Sequence, residues 1–205
     1  MQIQALESMG IKFEVGVNVG RDVTVTELMD RFDAVFLAGG AWKKRPLEIK
    51  GQEIVLSGLE FLNKVNTGAR DIPGRRVAVI GGGNVAIDVA RTLLRLGAEP
   101  VVIYRRSEGE MSAIRDEVEK AKEEGIEIEF LTLPTQVSET NGKITLKCVR
   151  IELGSPDASG RPQPVPIPDS DFTATFDAVI KAVGEEPDTS LLPAEFRQKT
   201  MKIIS

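Results

Sequence analysis

A glycine turn between an apolar run and an amphipathic stretch constrains the fold of this 205-residue chain more than any other feature. Residues 77–80 are continuously apolar, as in a parallel strand that is covered on both faces. The sequence GGGNVA follows and matches the pattern G-x-G-x-x-G/A. Apolar residues then recur at helical spacing as far as Leu96, and Gly97 stands where the helix should end. This order predicts a βαβ unit.

The small residues of the turn have separate physical roles. Gly81 permits the sharp turn out of the strand, and Gly83 leaves room for a pyrophosphate because it has no Cβ. Ala86 is small enough for the helix to pack closely on the strand. The first N–H groups of the helix, at Asn84 and Val85, and the positive end of its dipole face the same place. The turn therefore predicts a dinucleotide site.

The end of the second predicted strand, residues 100–104, indicates which dinucleotide binds. A site for NAD usually places Asp or Glu here against the ribose 2′-hydroxyl, whereas this chain has Tyr104, Arg105 and Arg106. Two arginines alone would be typical of a solvated surface. After a complete glycine turn they favour a bound 2′-phosphate, because guanidinium groups offer forked, permanently charged donors. The predicted ligand is NADP(H).

Three segments carry a family resemblance: GGGNVAIDVARTLLRLGA, YRRSEGEMSA and EVEKAKEEGIEIEFL. They resemble the NADPH-binding domain of the small (β) subunit of glutamate synthase. Dihydropyrimidine dehydrogenase and the large subunit of NADH-dependent ferredoxin–NADP oxidoreductase are similar. The resemblance extends over residues 10–193, although members of the family often have Asp at the position of Asn84 and Pro at that of Ser112.

The resemblance implies an oxidoreductase that passes hydride between NADPH on this domain and FAD on a neighbouring domain. The cofactors carry that chemistry, so no side chain is nominated as catalytic and none as a metal ligand. A second small-residue turn, at residues 182–184, is expected beside NADPH. The predicted cofactor-binding residues are Gly81, Gly82, Gly83, Asn84, Val85, Ala86, Arg105, Arg106, Ala182 and Gly184.

The predicted fold class is α/β: a Rossmann-like dinucleotide-binding domain with a parallel sheet and an antiparallel extension, and part of a second, FAD-type domain. The predicted divisions are a partial FAD-domain segment, a connecting helix and linker, the NADP(H)-binding domain and a C-terminal tail, at residues 1–48, 49–74, 75–190 and 191–205. We expect a piece of a larger flavoprotein that is flavin-free and inactive by itself.

Local signals predict several elements outside the βαβ unit. Capping signatures at Thr24/Glu27 and Ser57/Glu60 predict two helices, and Asn141-Gly142 predicts a hairpin turn. Strands are predicted at residues 12–17, 33–37 and 177–183, and loops at residues 41–50 and 154–171. The sequence Phe-Asp-Ala-Val occurs at residues 32–35 and again at 176–179, and we interpret the two copies as equivalent buried strands.

Composition excludes several function classes. The net charge of −5 gives no electrostatic support for binding nucleic acid, and the chain has no apolar run long enough to span a bilayer. The absence of histidine excludes histidine-based triads and metal sites within this sequence. Cys148 is the single cysteine and is interpreted as a small buried apolar group. A cytoplasmic location is predicted.

The expected partners are the FAD domain of the same parent chain and an iron–sulfur protein or the large subunit of glutamate synthase. Two alternatives stay open at this point. One is a non-catalytic nucleotide-binding or scaffold module, and the other is the NADP(H) domain of a ferredoxin-linked bifurcating oxidoreductase. The resemblance implies that the partner subunit determines the final electron acceptor.

Overall fold

The computed structural model describes residues 2–156 and 160–197, and the predicted C-terminal tail lies outside them from residue 198 onward. The described residues form two compact units. One contains the residues up to Lys43 together with those from Glu185 onward, and the larger unit is Lys44–Gly184.

The helices are α1 (Gln2–Ser8), α2 (Val25–Arg31), α3 (Gly58–Asn66), α4 (Asn84–Arg95), α5 (Arg115–Glu123) and α6 (Ala194–Arg197). The strands are β1 (Ala41–Lys44), β2 (Leu56–Ser57), β3 (Arg76–Ile80), β4 (Glu99–Ile103), β5 (Glu127–Glu129), β6 (Thr132–Thr140), β7 (Lys143–Pro156), β8 (Pro162–Pro166), β9 (Phe172–Phe176), β10 (Ala178–Lys181) and β11 (Glu185–Pro187).

A parallel sheet forms the centre of the larger unit, with the strand order β2-β10-β3-β4-β5. One face packs on helices, where Val77 and Val79 join Phe61 of α3 and Leu93 of α4. The opposite face packs on the antiparallel strands, where Ala78 is among the buried residues. Because both faces are covered, β3 is apolar at every position after its first, as the sequence predicted.

An antiparallel sheet extends the larger unit and confirms the predicted extension. Strands β6, β7 and β8 are neighbours in that order, and β9 also pairs with β7. Asn141 (φ 53°) and Gly142 (φ 72°) connect β6 to β7, so the predicted two-residue hairpin is confirmed. Cys148 is buried in this sheet, and burial raises the pKa of its thiol to about 11, as expected for a structural cysteine.

Two predicted loops contain strands. The first is β1 within residues 41–50, which pairs with β11, and the second is β8 within residues 154–171. The prolines of β8 argued against a strand in the sequence. They are tolerated because β8 lies at the end of the strand order, where one side of the backbone needs no ladder partner.

The smaller unit confirms the helix predicted at Thr24/Glu27 and contradicts both strands predicted there. Thr24 caps α2, since its hydroxyl accepts from the N–H of Glu27 at 3.1 Å while the Glu27 carboxylate accepts from the N–H of Thr24 at 2.7 Å. Residues 12–17 and 33–37 are not strands. A strand needs a hydrogen-bonded neighbour, and the described residues provide none to either segment.

The interpretation of the repeated Phe-Asp-Ala-Val as two equivalent buried strands is therefore wrong. Phe176 ends β9 and is 2% exposed, whereas Phe32 is 55% exposed beyond the end of α2. Four shared residues did not determine burial, because burial depends on the elements that pack around them. Across the described ranges, no helix is long and apolar enough to cross a membrane.

Candidate nucleotide site

The carboxyl ends of three adjacent parallel strands bring the predicted site residues together. Strands β10, β3 and β4 lie side by side, and the predicted segments follow each of them directly. The N–H of Ala182, after β10, donates to Ile80 O at 2.8 Å, and the N–H of Gly81, after β3, donates to Ile103 O at 3.1 Å. The small-residue turn, the glycine turn and the arginines therefore occupy one edge of the sheet. We call it the carboxyl edge.

The first two glycines of the turn are required by packing. Gly81 has φ 148°, and a Cβ there would lie 2.2 Å from the carbonyl oxygen of Ala182. A Cβ on Gly82 would lie 2.3 Å from the buried ring of Tyr104. Both distances are far below ordinary contact, so these positions allow the strand to turn sharply against its neighbours. Ala86, which is fully buried in the core, performs the helix-packing role that the sequence predicted.

The N-terminus of α4 opens at the carboxyl edge without a side-chain cap. Its N-cap is Gly83, which provides no side-chain hydrogen bond. An α-helix leaves its first N–H groups without an acceptor inside the helix, and in α4 these belong to Asn84 and Val85. Donors of this kind, together with the positive end of the helix dipole, suit a phosphate group. The residues present fit the pyrophosphate of a dinucleotide.

A segment that the sequence analysis missed crosses the glycine turn. The N–H groups of Ser112 and Ala113 donate to Gly82 O at 3.1 and 3.2 Å. The side chain of Asn84 also turns to this segment, because its Oδ1 accepts from the N–H of Ile114 at 2.8 Å. Ser112 Oγ would lie 3.3 Å from a Cβ on Gly83. The space beside Gly83 is therefore bounded by Ser112.

A local signal for this segment was available in the sequence. Ser107 and Glu110 have capping-box spacing, and they bracket the short 3-10 helix Glu108–Glu110, where the N–H of Glu110 donates to Ser107 O at 3.2 Å. The carboxylate of Glu110 accepts from the N–H of Ser107 at 3.1 Å and from its hydroxyl. Glu108 forms an ion pair with Lys122. Both acidic side chains that follow the arginines are thus engaged with partners of their own.

The two arginines after β4 differ in their surroundings. Arg105 is exposed at the carboxyl edge. Arg106 is only 6% exposed, and its Nε donates to the carbonyl oxygen of Pro162 in β8 at 2.9 Å. Tyr104 stands where an NAD site would carry an acidic residue, and its hydroxyl donates to Glu110 O at 2.7 Å. No local sequence pattern indicates that one of the paired arginines is exposed and the other buried.

A third arginine reaches the same segment from the antiparallel extension. Arg161 Nη2 donates to Glu110 O at 2.5 Å and lies 3.5 Å from the hydroxyl oxygen of Tyr104. No local pattern could have predicted this contact, because the partners are more than fifty residues apart in sequence. The last predicted turn completes the edge: Ala182 is buried, and Gly184 is exposed with φ 97°.

Comparison with known proteins agrees with this geometry. Residues 4–203 match the family described as pyridine nucleotide-disulphide oxidoreductase. The NADPH-Fe(3+) oxidoreductase subunit beta of Geobacter sulfurreducens is 43% identical over 199 residues, which is 93% of this chain and 30% of that protein. The glutamate synthase [NADPH] small chain of Escherichia coli is 40% identical over 195 residues, 87% of this chain and 41% of that protein. The resemblance to glutamate synthase small subunits is confirmed.

Solved structures with the same fold include the FprA oxidoreductase of Mycobacterium tuberculosis in complex with NADPH. The TM-score is 0.69 at 22% sequence identity, covering 82% of this chain and 54% of FprA. Thioredoxin reductase from T. acidophilum gives a TM-score of 0.53 at 19% identity over 75% of this chain and 44% of that one. These similarities confirm the predicted α/β fold class. The chain spans less than half the length of the two curated relatives described above.

Proposed function

Because the chain belongs to the pyridine nucleotide-disulphide oxidoreductase family, we propose that its larger unit holds most of the NADP(H)-binding domain of a flavin-dependent oxidoreductase. One observation carries the proposal. The uncapped N-terminus of α4 opens at the same edge of the sheet as the exposed Arg105. The first feature suits a pyrophosphate and the second suits a 2′-phosphate. Relatives whose names specify NADPH support the choice of NADP(H) over NAD(H).

Each predicted residue has a proposed part in holding the nucleotide. The N–H groups of Asn84 and Val85 bind the pyrophosphate, and Gly83 leaves it room to approach the backbone. Arg105 donates to the 2′-phosphate. Arg106 adds a second positive charge beside it while its Nε remains with Pro162 O. The turn after β10, with Ala182 and Gly184, is assigned to the nicotinamide half because β10 lies next to β3 on the side away from β4.

The protein's own contribution is to bind and orient. NADPH, when bound, supplies a hydride to a flavin, and the cofactors carry that chemistry. Gly81, Gly82 and Ala86 hold β3, β4 and α4 close together, so that the phosphate-binding groups have fixed positions. No acid, base or nucleophile of this chain is assigned to the reaction.

The domain assignment and the partners form part of the same proposal. We assign residues 75–190 to the NADP(H)-binding domain, with residues 49–74 as its connecting helix and linker. Residues 1–48 are assigned to part of an FAD-type domain in the same parent chain. The relatives named above are a subunit beta and a small chain, which supports assembly with a further subunit. An iron–sulfur protein or a glutamate synthase large subunit is the proposed partner.

Calorimetric titration of the chain with NADP⁺ and with NAD⁺ tests the proposal. A charge-assisted hydrogen bond contributes about 1.5–3 kcal/mol, so NADP⁺ should bind at least about tenfold more tightly. Arg105→Gln should remove most of that preference and leave the affinity for NAD⁺ in place. Arg75→Gln is the matched control, because Arg75 lies at the opposite end of β3 and pairs with Glu99. Equal affinities of the unaltered chain for both nucleotides would refute the assignment.

A further inference from the structure

The backbone on both sides of Arg105 is fixed by hydrogen bonds. The N–H of Thr132 donates to Tyr104 O at 3.1 Å, and the N–H of Leu131 donates to Arg106 O at 3.1 Å. The main chain that carries Arg105 is therefore anchored on the start of β6. The exposed side chain of Arg105 extends from a backbone whose position is already determined.

The segment that follows Arg105 is closed by a second set of contacts. The hydroxyl of Tyr104 donates to Glu110 O at 2.7 Å, which joins the two ends of the segment. Arg161 Nη2 donates to the same carbonyl oxygen at 2.5 Å and lies 3.5 Å from the Tyr104 hydroxyl oxygen. The guanidinium therefore lies at the point where the segment closes, and its charge strengthens the hydrogen bond to the carbonyl.

Pro162, the residue after Arg161, makes a second contact with the segment from Tyr104 to Glu110. Its carbonyl oxygen accepts from Arg106 Nε at 2.9 Å. The start of β8 thus binds Arg106 through a backbone oxygen and Glu110 through a side-chain donor. Arg161 and Pro162, at one short piece of the antiparallel extension, therefore hold two residues that follow Arg105, although they are distant from them in sequence.

We infer that Arg161 is a positioning residue for discrimination between NADP(H) and NAD(H), an inference that rests on the proposed function. It holds the segment from Tyr104 to Glu110 closed. Little conformational entropy is therefore lost when Arg105 binds the 2′-phosphate. A nucleotide that lacks the 2′-phosphate gains nothing from this order. Arg161 therefore affects the affinity for NADP⁺ and leaves that for NAD⁺ unchanged.

Calorimetric titration of Arg161→Met with NADP⁺ and NAD⁺ tests the inference. We expect about a three- to tenfold loss of affinity for NADP⁺, of the size that one hydrogen bond contributes, and no change for NAD⁺. Arg161→Lys should recover part of the loss, because lysine keeps the charge without the planar fork. Tyr104→Phe removes the hydroxyl that also donates to Glu110 O. It should give a smaller loss of affinity for NADP⁺, again with no change for NAD⁺. Arg75→Gln again serves as the control.

The double variant Arg105→Gln/Arg161→Met separates positioning from direct contact. If Arg161 acts through Arg105, the double variant should bind NADP⁺ no more weakly than Arg105→Gln alone. Additive losses would mean that Arg161 contacts the phosphate itself and would overturn the positioning role. An equal loss for both nucleotides, in either Arg161→Met or Tyr104→Phe, would show a merely structural effect and would also overturn it.

The unaltered chain distinguishes failure of the inference from failure of the proposed function. If it prefers NADP⁺ and Arg161→Met keeps the whole preference, only the inference fails. If it shows no preference, the proposed function fails, and the inference fails with it. Thermal unfolding of each variant, measured beside the titrations, confirms that the proteins compared are folded.

Discussion

The two ends of the parallel sheet use their polar groups in opposite ways. At the amino end, the Asp177 carboxylate accepts from the N–H groups of Arg75 and Arg76, both at 2.9 Å, and pairs with Lys143. Arg75 also forms an ion pair with Glu99 at 2.7 Å. The side chains there join strands to one another. At the carboxyl edge the strands are joined by backbone hydrogen bonds and glycine contacts, which leaves helix N–H groups and Arg105 for a ligand.

The comparison separates stability from binding within one sheet. Charges at the amino end are neutralised by partners within the protein, so changes there should alter the free energy of unfolding and leave nucleotide affinity intact. The carboxyl edge combines close packing with an exposed charge. Substitutions that disturb the packing should lower the free energy of unfolding, and substitutions of the exposed charge should lower nucleotide affinity. Ligand binding outside the carboxyl ends of the strands is the general rule for open α/β sheets.

The largest expected effect comes from Gly81→Ala, which should damage both packing and binding. The added Cβ would lie 2.2 Å from Ala182 O and would impose φ 148° on an L-residue. We expect a loss of about 2–4 kcal/mol in the free energy of unfolding, together with loss of NADP⁺ binding. Urea unfolding and calorimetric titration measure the two effects.

Gly97→Ala is the matched control for Gly81→Ala. Gly97 also has a positive φ, of 93°, but no atom lies within 4 Å of an added Cβ. Only the conformational cost applies, about 1–2 kcal/mol, and binding should persist. Equal effects of the two substitutions would contradict the packing role assigned to Gly81.

A change at Arg106 should affect stability more than a change at Arg105, although both residues follow β4. Arg106→Met removes a charge-assisted hydrogen bond from a buried side chain to Pro162 O, so we expect a loss of about 1.5–3 kcal/mol in unfolding free energy. Arg105→Gln should leave the unfolding midpoint within experimental error, since Arg105 is exposed. Denaturant unfolding of the two variants side by side is the measurement. A larger loss of unfolding free energy in Arg105→Gln than in Arg106→Met would overturn the distinction between a buried and an exposed arginine.

Asp177→Asn should weaken the amino end alone. The substitution removes the charge that accepts from two backbone N–H groups and pairs with Lys143. We expect a loss of about 1–2 kcal/mol in the free energy of unfolding. The dissociation constant for NADP⁺ of the folded variant should match that of the unaltered chain. A change in that constant would show that the two ends of the sheet are coupled.

The smallest effect is the pH dependence of the Asp177 contribution. The hydrogen bond from Lys143, followed by those from the backbone N–H groups, lowers the pKa of Asp177 below its ordinary value. The folded pKa lies below the unfolded value of about 3.9, so the contribution is fully present above that pH and disappears as pH falls through the folded pKa. The difference in unfolding midpoint between the unaltered chain and Asp177→Asn should therefore shrink in acid. A difference that grows in acid would contradict this assignment.

The elements that sequence predicted correctly are those that local chemistry determines. The glycine turn with β3, α4 and β4 follows from periodicity and from the small residues at Gly81–Ala86, and the hairpin follows from Asn141-Gly142. Residues 33–37 had the composition of a strand but lack a neighbour among the described residues, so that prediction was wrong. Propensity is local, whereas a strand requires a partner.

The contacts that sequence missed, both in the candidate site and at the amino end of the sheet, depend on distant residues. Arg161 and Tyr104 are 57 residues apart, and Asp177 and Arg75 are 102 apart. Neither pair belongs to a sequence motif that would have indicated the contact. The sequence also does not indicate that Arg106 is buried against β8, because the prolines of β8 favour a loop over a strand.

Amide chemical shifts recorded during titration with NADP⁺ report on both ends of the sheet in one experiment, so they test whether the carboxyl edge is the nucleotide site. We expect the largest changes at Gly83, Asn84, Val85 and Arg105, with little change at Arg76 and Asp177. Titration with NAD⁺ should reproduce the changes in the glycine turn and omit those at Arg105. Changes concentrated at Arg76 and Asp177, or none with NADP⁺ at millimolar concentration, would contradict the assignment of the carboxyl edge as the nucleotide site.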